Sequence, residues 1–277
     1  MTVDVVCADP VFLDLTFAGL PGLPPSGGEL FADDLHLSPG GAAITAIGLA
    51  RLGLRAAVTA ALGSDVAGRT LRELLEAEGV TCAAGEAART PVTVVLPFAG
   101  DRAMVSYAPP PEVDRGALER LGPRAVVVAL DRLEAVPAGP LVYAVVADPQ
   151  AHRLAGALPR GLAAARALLA NRSEAERLTG RPDPEEAALA LAAHVPTAVV
   201  TCGPDGAVAA SDGSVHSATA PPVEAVDTTG AGDLFTAAYV WGDLAGLPLE
   251  ERLRRAVAYA SLSVRVPTAA AGAAYEA

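Results

Sequence analysis

The segment Asp227-Thr228-Thr229-Gly230-Ala231-Gly232-Asp233 holds the most concentrated chemistry in the chain. Gly230 and Gly232 let the backbone come close to a ligand. The apolar residues that follow, Leu234, Phe235, Ala237, Ala238, Val240 and Trp241, recur at roughly helical spacing, so the turn opens a helix. The first amides of a helix have no partner within it, and with the helix dipole they form an anion site. Asp233 stands at the edge of that site as a proton acceptor. Amide donors for a phosphate beside a carboxylate are the parts that phosphoryl transfer to a hydroxyl needs. Taken alone, Gly-Ala-Gly before a helix is often only a tight turn, so the reading depends on the rest of the chain.

Other stretches have the same character. Ser38-Pro39-Gly40-Gly41-Ala42-Ala43, followed by Ala50-Arg51-Leu52-Gly53, reads as a glycine-led helix start and a glycine stop. Asp14 ends the first extended run, with Asp9 as a rival carboxylate nearer the first strand. Asn171-Arg172-Ser173-Glu174 follows a strand and precedes a helix, where Asn serves as an N-cap and Glu meets the positive end of the dipole. Asn171 is the only asparagine in the chain. Thr201-Cys202-Gly203-Pro204-Asp205-Gly206 is a glycine-rich turn after a strand, and Cys202 reads as a small buried residue because no base stands near it in sequence.

Together these stretches resemble the ribokinase-like (PfkB) family of carbohydrate kinases. Residues 227–233 resemble the family's second signature, in which the glycine turn is the anion hole and the last Asp the catalytic base. That implies catalytic roles for Gly230, Ala231, Gly232 and Asp233. The Gly40-Gly41 stretch resembles the first signature, with a departure. Alignment puts Ile44 where the family usually has an Asn that binds a sugar hydroxyl, and the segment is one residue shorter. Ala42 stands where relatives that phosphorylate sugar phosphates often carry Lys, which argues against an already phosphorylated substrate.

The resemblance implies that Asp14, Gly40 and Gly41 hold the acceptor, and that Asn171, Glu174, Thr201, Gly203, Gly206 and Thr228 surround ATP. Glu174 would position Mg²⁺ through water, since this hard ion keeps several waters. Asp227 and the Thr229 carbonyl match positions that hold a monovalent cation, here K⁺, with carbonyls near the C-terminus; Val266 to Ala273 is the matching stretch, and Gly272-Ala273 fits it. The implied fold is a three-layer α/β/α sandwich with a mostly parallel central sheet and a small β-lid. It is read as a single domain over residues 1–277, with lid segments about 11–37 and 90–108. In relatives the lid covers the sugar and often forms a dimer clasp, so the resemblance allows a homodimer through the lid and leaves monomer against dimer open.

The implied activity is ATP-dependent, Mg²⁺-assisted phosphorylation of a hydroxyl on a sugar or sugar-like small molecule. One alternative is a nucleoside kinase of the same fold, with Phe12, Phe17, Phe98 and Tyr107 available to stack a base. The other is a nucleotide- or sugar-binding regulator with weak turnover, which Ile44 favours and Asp233 opposes.

Composition narrows the chemistry independently. The chain of 277 residues contains no lysine: all 20 basic residues are arginine. A Walker A site, a protein-kinase strand lysine and Schiff-base chemistry are therefore excluded. Any bound phosphate must be met by arginine, backbone N–H groups or a metal ion. The net charge of −12 disfavours nucleic acid and anionic membrane as partners. Hydrophobic residues make up 52%, yet no apolar run reaches the ~18 residues of a membrane span. The first residues read as a strand without a basic leader, and Cys7, Cys82 and Cys202 form no disulfide framework, so the expected compartment is the cytoplasm. With His36, His152, His194 and His216 they form no metal-ligand spacing.

The elements that must position these residues follow from periodicity. Strands are expected at 3–8, 56–62, 125–130, 141–147, 167–170 and 197–201, and helices at 41–52, 66–78, 173–179, 184–194, 231–244 and 249–264. Hairpins are expected at 91–107 around Ala99-Gly100-Asp101 and at 207–217, and a further extended segment at 30–37. Alternating strands and helices predict a mostly parallel sheet covered on both faces. The extended runs near 11–37 and 90–108 do not fit that alternation, and they are the lid of the resemblance.

Overall fold

The computed structural model describes residues 3–83, 85–98, 101–110, 112–154, 157–225 and 227–265. In chain order the first half contains β1 (Val5–Cys7), β2 (Val11–Ala18), β3 (Asp34–Gly41), α1 (Ala42–Arg51), β4 (Ala56–Val58), α2 (Val66–Ala77), β5 (Thr81–Cys82), β6 (Val92–Phe98), β7 (Asp101–Tyr107) and α3 (Arg115–Leu121). The second half contains β8 (Ala125–Ala129), β9 (Leu141–Val145), α4 (Asp148–Leu154), β10 (Ala167–Asn171), α5 (Arg172–Thr179), α6 (Pro184–Ala192), β11 (Thr197–Thr201), β12 (Ala207–Ser211), β13 (Ser214–Ala218), α7 (Ala231–Leu244) and α8 (Leu249–Ser263). Short 3₁₀ turns at Leu130–Ala135, Arg160–Ala164 and Gly203–Asp205 join some of them.

Nine strands form the central sheet in the order β13-β12-β11-β10-β9-β8-β1-β4-β5. Every neighbouring pair from β11 to β5 is parallel; β12 and β13 add antiparallel at one edge. The two-residue period of a strand divides the core. Val5, Cys7, Val127, Tyr143, Leu169 and Val199 point to one face and pack with α1, α2, α7 and α8. Leu168, Ala170, Ala198 and Val200 point to the other and pack with α5 and α6, and Val6, Val126 and Val128 pack there with α3 through Leu118. Two buried faces require apolar runs rather than alternation, as in Ala125–Ala129, where all five residues are buried. This is the three-layer sandwich that the resemblance implied.

The extended runs form a separate four-stranded sheet, β3-β2-β6-β7, in which β2 and β6 are parallel and the outer pairs antiparallel. Its register sorts the side chains by face. Ser38, Asp14, Thr93 and Ser106 lie opposite one another across all four strands, and so do Leu37, Leu15, Val94 and Val105. One row is polar and the other apolar, and neighbouring positions along each strand belong to opposite faces.

Some boundaries differ from expectation. The Gly40-Gly41 pair closes β3 and caps α1 instead of starting the helix, because Gly41 has φ 61° and a Cβ there would press on the Pro10 carbonyl and the Phe12 ring. α3 and α4 were not foreseen. Each is seven residues long, too short for a periodic signal, although the Asp114 cap and the left-handed Gly122 mark the ends of α3. The tip of the lid hairpin, Ala99-Gly100, lies outside the described residues, as does the stretch 266–273.

Candidate active site

A cleft of about 390 Å³ opens where the parallel strands end. Its floor is made by the C-terminal ends of β1, β8, β9, β10 and β11, and its wall by the first turns of α1 and α7. Ligands in parallel α/β sheets bind at this end, because helix N-termini and loops converge there. Asp233, Gly232, Asn171, Glu174, Thr201 and Gly41 all line it.

Asp233 occupies the first turn of α7 behind the left-handed cap Gly230 (φ 75°). The Ala231 N–H turns back toward the Thr228 carbonyl at 3.4 Å, and the Leu234 N–H bonds the Gly230 carbonyl at 3.0 Å, so this turn is the N-terminal end of the helix, where an anion is favoured. The Asp233 carboxylate accepts a hydrogen bond from the Thr45 hydroxyl at 3.2 Å, and the same hydroxyl is 3.3 Å from the Asp233 carbonyl. Burial raises its pKa to about 7, Asp9 and Asp14 add repulsion, and the Thr45 hydroxyl opposes the rise. A carboxylate with a pKa raised toward neutrality, at a helix N-terminus, is suited to take a proton at physiological pH.

Asn171 and Glu174 serve two purposes. They form a reciprocal capping box at the start of α5: Asn171 Oδ1 accepts the Glu174 N–H at 2.9 Å, and Glu174 Oε2 accepts the Asn171 N–H at 2.7 Å. The box is a local structural device, yet it also fixes both side chains on the cleft wall. Its oxygen donors suit a hard cation such as Mg²⁺, bound through water. Gly203 and Gly206 shape the loop after Thr201 without lining the cleft. Gly206 has φ 98°, and a Cβ there would collide with the Ala218 carbonyl. Cys202 is buried, as expected for a small core residue.

Asp14 does not line this cleft. With Thr16, Ser38, Ile44, Asp227 and Thr229 it lines a neighbouring pocket of about 10 Å³, between the polar row of the lid and the 227–230 turn. Its carboxylate lies over Gly40, where any Cβ would overlap it. Burial raises its pKa to about 6 against the Thr93 hydroxyl, which itself bonds Ser106 at 3.0 Å. Asp227 Oδ1 accepts the Thr229 N–H at 2.8 Å. Among the described residues, no group of three or more His, Cys, Asp and Glu side chains is arranged to hold a metal ion. Thr228 is reached from the lid, its hydroxyl 3.4 Å from the Arg102 guanidinium.

Residues passed over in the sequence belong to the site. Thr45 is the one polar residue in Ala-Ala-Ile-Thr-Ala-Ile-Gly-Leu-Ala, and that isolation was the available signal. It, and not Ile44, faces Asp233. Asp9, the rival to Asp14, lines the main cleft; it accepts the Ala129 N–H at 3.0 Å and pairs with Arg132 at 2.8 Å.

Comparison with known proteins gives the family and the fold. The sequence matches the model of the pfkB family carbohydrate kinases over residues 23–111 and 138–274. It is 39% identical over 104 residues to a ribokinase of Arabidopsis thaliana, a segment that covers 35% of this chain and 27% of that protein. The structure of Arabidopsis thaliana ribokinase complexed with ribose and ATP superposes with a TM-score of 0.81 at 26% identity, covering 98% of this chain and 96% of that one. The nucleoside kinase of Methanocaldococcus jannaschii shares the fold at 18% identity, with a TM-score of 0.78 and coverage of 98% and 94%. No helix among the described residues is long and apolar enough to cross a membrane.

Proposed function

The chain belongs to the pfkB family of carbohydrate kinases, and on that premise we propose that it transfers the terminal phosphoryl group of ATP to a hydroxyl of a sugar or sugar-like small molecule. The observation that carries this reading is Asp233: a partly buried carboxylate with a pKa raised to about 7, at the first turn of α7, beside the N-terminal amides of that helix. Asp233 takes the proton of the acceptor hydroxyl. The acceptor oxygen forms its bond to the γ-phosphorus as the bond to ADP breaks, and ADP leaves with the electron pair. The Gly230 and Gly232 amides meet the charge on the transferred group, and positioning supplies most of the rate. Mg²⁺, when bound, neutralises charge on the phosphates, and Glu174 with Asn171 would hold it through water.

Acceptor binding is assigned to the polar row of the lid. Asp14, Ser38 and Thr93 offer one carboxylate and two hydroxyls on adjacent strands, next to the turn that carries Asp233. Their chemistry suits a polyol. The opposite row, with Leu37 47% and Val105 68% exposed, supports a homodimer formed through the lid. Asp227 and the Thr229 carbonyl are retained as a K⁺ site that accelerates turnover. Replacing K⁺ by tetramethylammonium at constant ionic strength tests it, and an unchanged rate overturns it.

The decisive experiment is ADP release measured against a panel of sugars and nucleosides, with Asp233→Asn as the blank. Loss of the base lowers kcat by roughly 10²–10⁴-fold and leaves MgATP affinity within a few-fold. An enzyme that releases ADP with no member of the panel, or a substituted enzyme of near-normal turnover, defeats the reading.

A further inference from the structure

Arg132 is the only basic residue among the described residues that line the cleft, whereas three carboxylates line it: Asp9, Glu174 and Asp233. A nucleoside triphosphate brings further negative charge to these walls, and the chain has no lysine to offset it. Arg132 follows β8 and is 15% exposed. One terminal nitrogen is 2.8 Å from Asp9 and its Nε is 3.8 Å from Asp131. That Nε is buried without a hydrogen-bond partner among the described residues. Asp9 is itself tied to the Ala129 N–H at 3.0 Å, so the guanidinium is held at the cleft wall.

The sheet order gives its position along the cleft. Asn171 ends β10, Arg132 follows β8, and Asp9 follows β1, in the sequence β10-β9-β8-β1. Two strand spacings, about 10 Å, separate the Asn171 end from Arg132. Arg132 thus stands between the capping box assigned to nucleotide and Asp9 at the end of β1.

We propose that Arg132 binds phosphoryl oxygens of the nucleotide, with Asp9 as the residue that holds its guanidinium ready. The proposal rests on the kinase reading above and extends it to a residue outside the family signatures that the chain matches. A guanidinium offers several N–H donors in a fixed fork, so it can keep Asp9 on one side and donate to a phosphate oxygen on another. A purely structural staple between β1 and β8 is the competing account.

The test compares MgATP with adenosine, which lacks the phosphates, as ligands of the full chain and its variants. Calorimetry suits MgATP, and ligand-observed NMR suits the weaker adenosine. Arg132→Ala is expected to weaken MgATP by roughly 10- to 100-fold and leave adenosine within two-fold. Arg132→Lys is expected to recover part of the loss, as it keeps the charge without the fork. Asp9→Asn keeps an oxygen that can hold the guanidinium and is expected to lose less MgATP affinity than Arg132→Ala. Unchanged MgATP binding in Arg132→Ala overturns the proposal. So does an equal loss for MgATP and adenosine, or an equal MgATP loss in Asp9→Asn and Arg132→Ala, which mark a staple. A rise confined to the acceptor KM overturns it too, by assigning Arg132 to the acceptor. A parent chain that binds MgATP but phosphorylates nothing in the panel refutes the kinase reading and still leaves the Arg132 comparison to be read.

Discussion

At the scale of single residues, the rate should follow the ionisation of Asp233. As the proposed base, Asp233 works only when deprotonated, so kcat/KM is expected to rise with pH through about 7. The contributions to that pKa have different signs, which gives two opposed tests. Thr45→Val removes a donor that favours the carboxylate and keeps the shape of the side chain. One hydrogen bond is worth roughly 0.5–1.5 kcal/mol, so the acid limb should move up by roughly half a unit to one unit. Asp9→Asn removes a neighbouring negative charge, so the limb should move down. Both are read from pH–rate profiles, and shifts of the same sign in the two variants would assign the limb to another group. Asp233 was legible in the sequence because its turn, cap and helix lie within seven consecutive residues. Thr45 and Arg132 were not, because their meaning depends on partners 188 and 123 positions away, at Asp233 and Asp9.

At the scale of elements, the anion turn is only as well placed as the contact between α1 and α7. Gly48 sits at that contact: a Cβ on it would approach both the Ala237 Cβ and the Leu234 Cδ2 to 2.8 Å. Gly48→Ala would normally stabilise a helix by about 1 kcal/mol. Here the overlap should force the helices apart, at a cost of roughly 1–3 kcal/mol. The expected outcome is a lower melting temperature together with a lower kcat, although Gly48 does not line the cleft. A variant that melts higher than the parent would show that the helices can adjust. The same elements illustrate what sequence reading reaches. The buried parallel strands were legible as apolar runs, and the long helices as periodic segments closed by Gly53, Gly79 or Gly180. The lid was legible only as a failure of the β-α alternation. Its register, which decides that Asp14 faces Ser38 and Thr93 while Leu15 faces Leu37 and Val94, is a tertiary property. The helix start at Ala42, one residue past the glycine pair, also required the backbone: Gly41 is consumed by the bend that turns β3 into α1.

For the molecule as a whole, the site is held against a stability gradient. Burial raises the carboxyl pKa of Asp233 to about 7 and those of Asp9 and Asp14 to about 6, from 3.8. A folded-state pKa above the unfolded value means that the native protein binds the extra protons between about pH 4 and 7. Stability from these groups is complete below pH 4, declines through that window, and is gone above it. Asp4 and Asp65 act in the opposite sense. Hydrogen bonds from Arg55 and Thr90 hold them near 2, so their contribution is present above pH 4 and is lost only as the pH falls toward 2. The ligand-free protein should therefore melt highest in mildly acid solution, a trend that the net charge of −12 reinforces, since protonation also relieves self-repulsion. Asp233→Asn removes the largest of the three ionisation costs. In scanning calorimetry without ligand it is expected to melt a few degrees above the parent at pH 8, where the parent must carry a buried charge. At pH 4 the parent carboxyl is protonated and the difference should largely vanish. The same substitution that is expected to lower turnover would then stabilise the fold, as expected where the proposed function requires a carboxylate in a place that folding alone would leave neutral. An equal difference in melting temperature at the two pH values would mean that Asp233 is not the partly buried, reluctant acid on which the proposed catalysis and the pH gradient both depend.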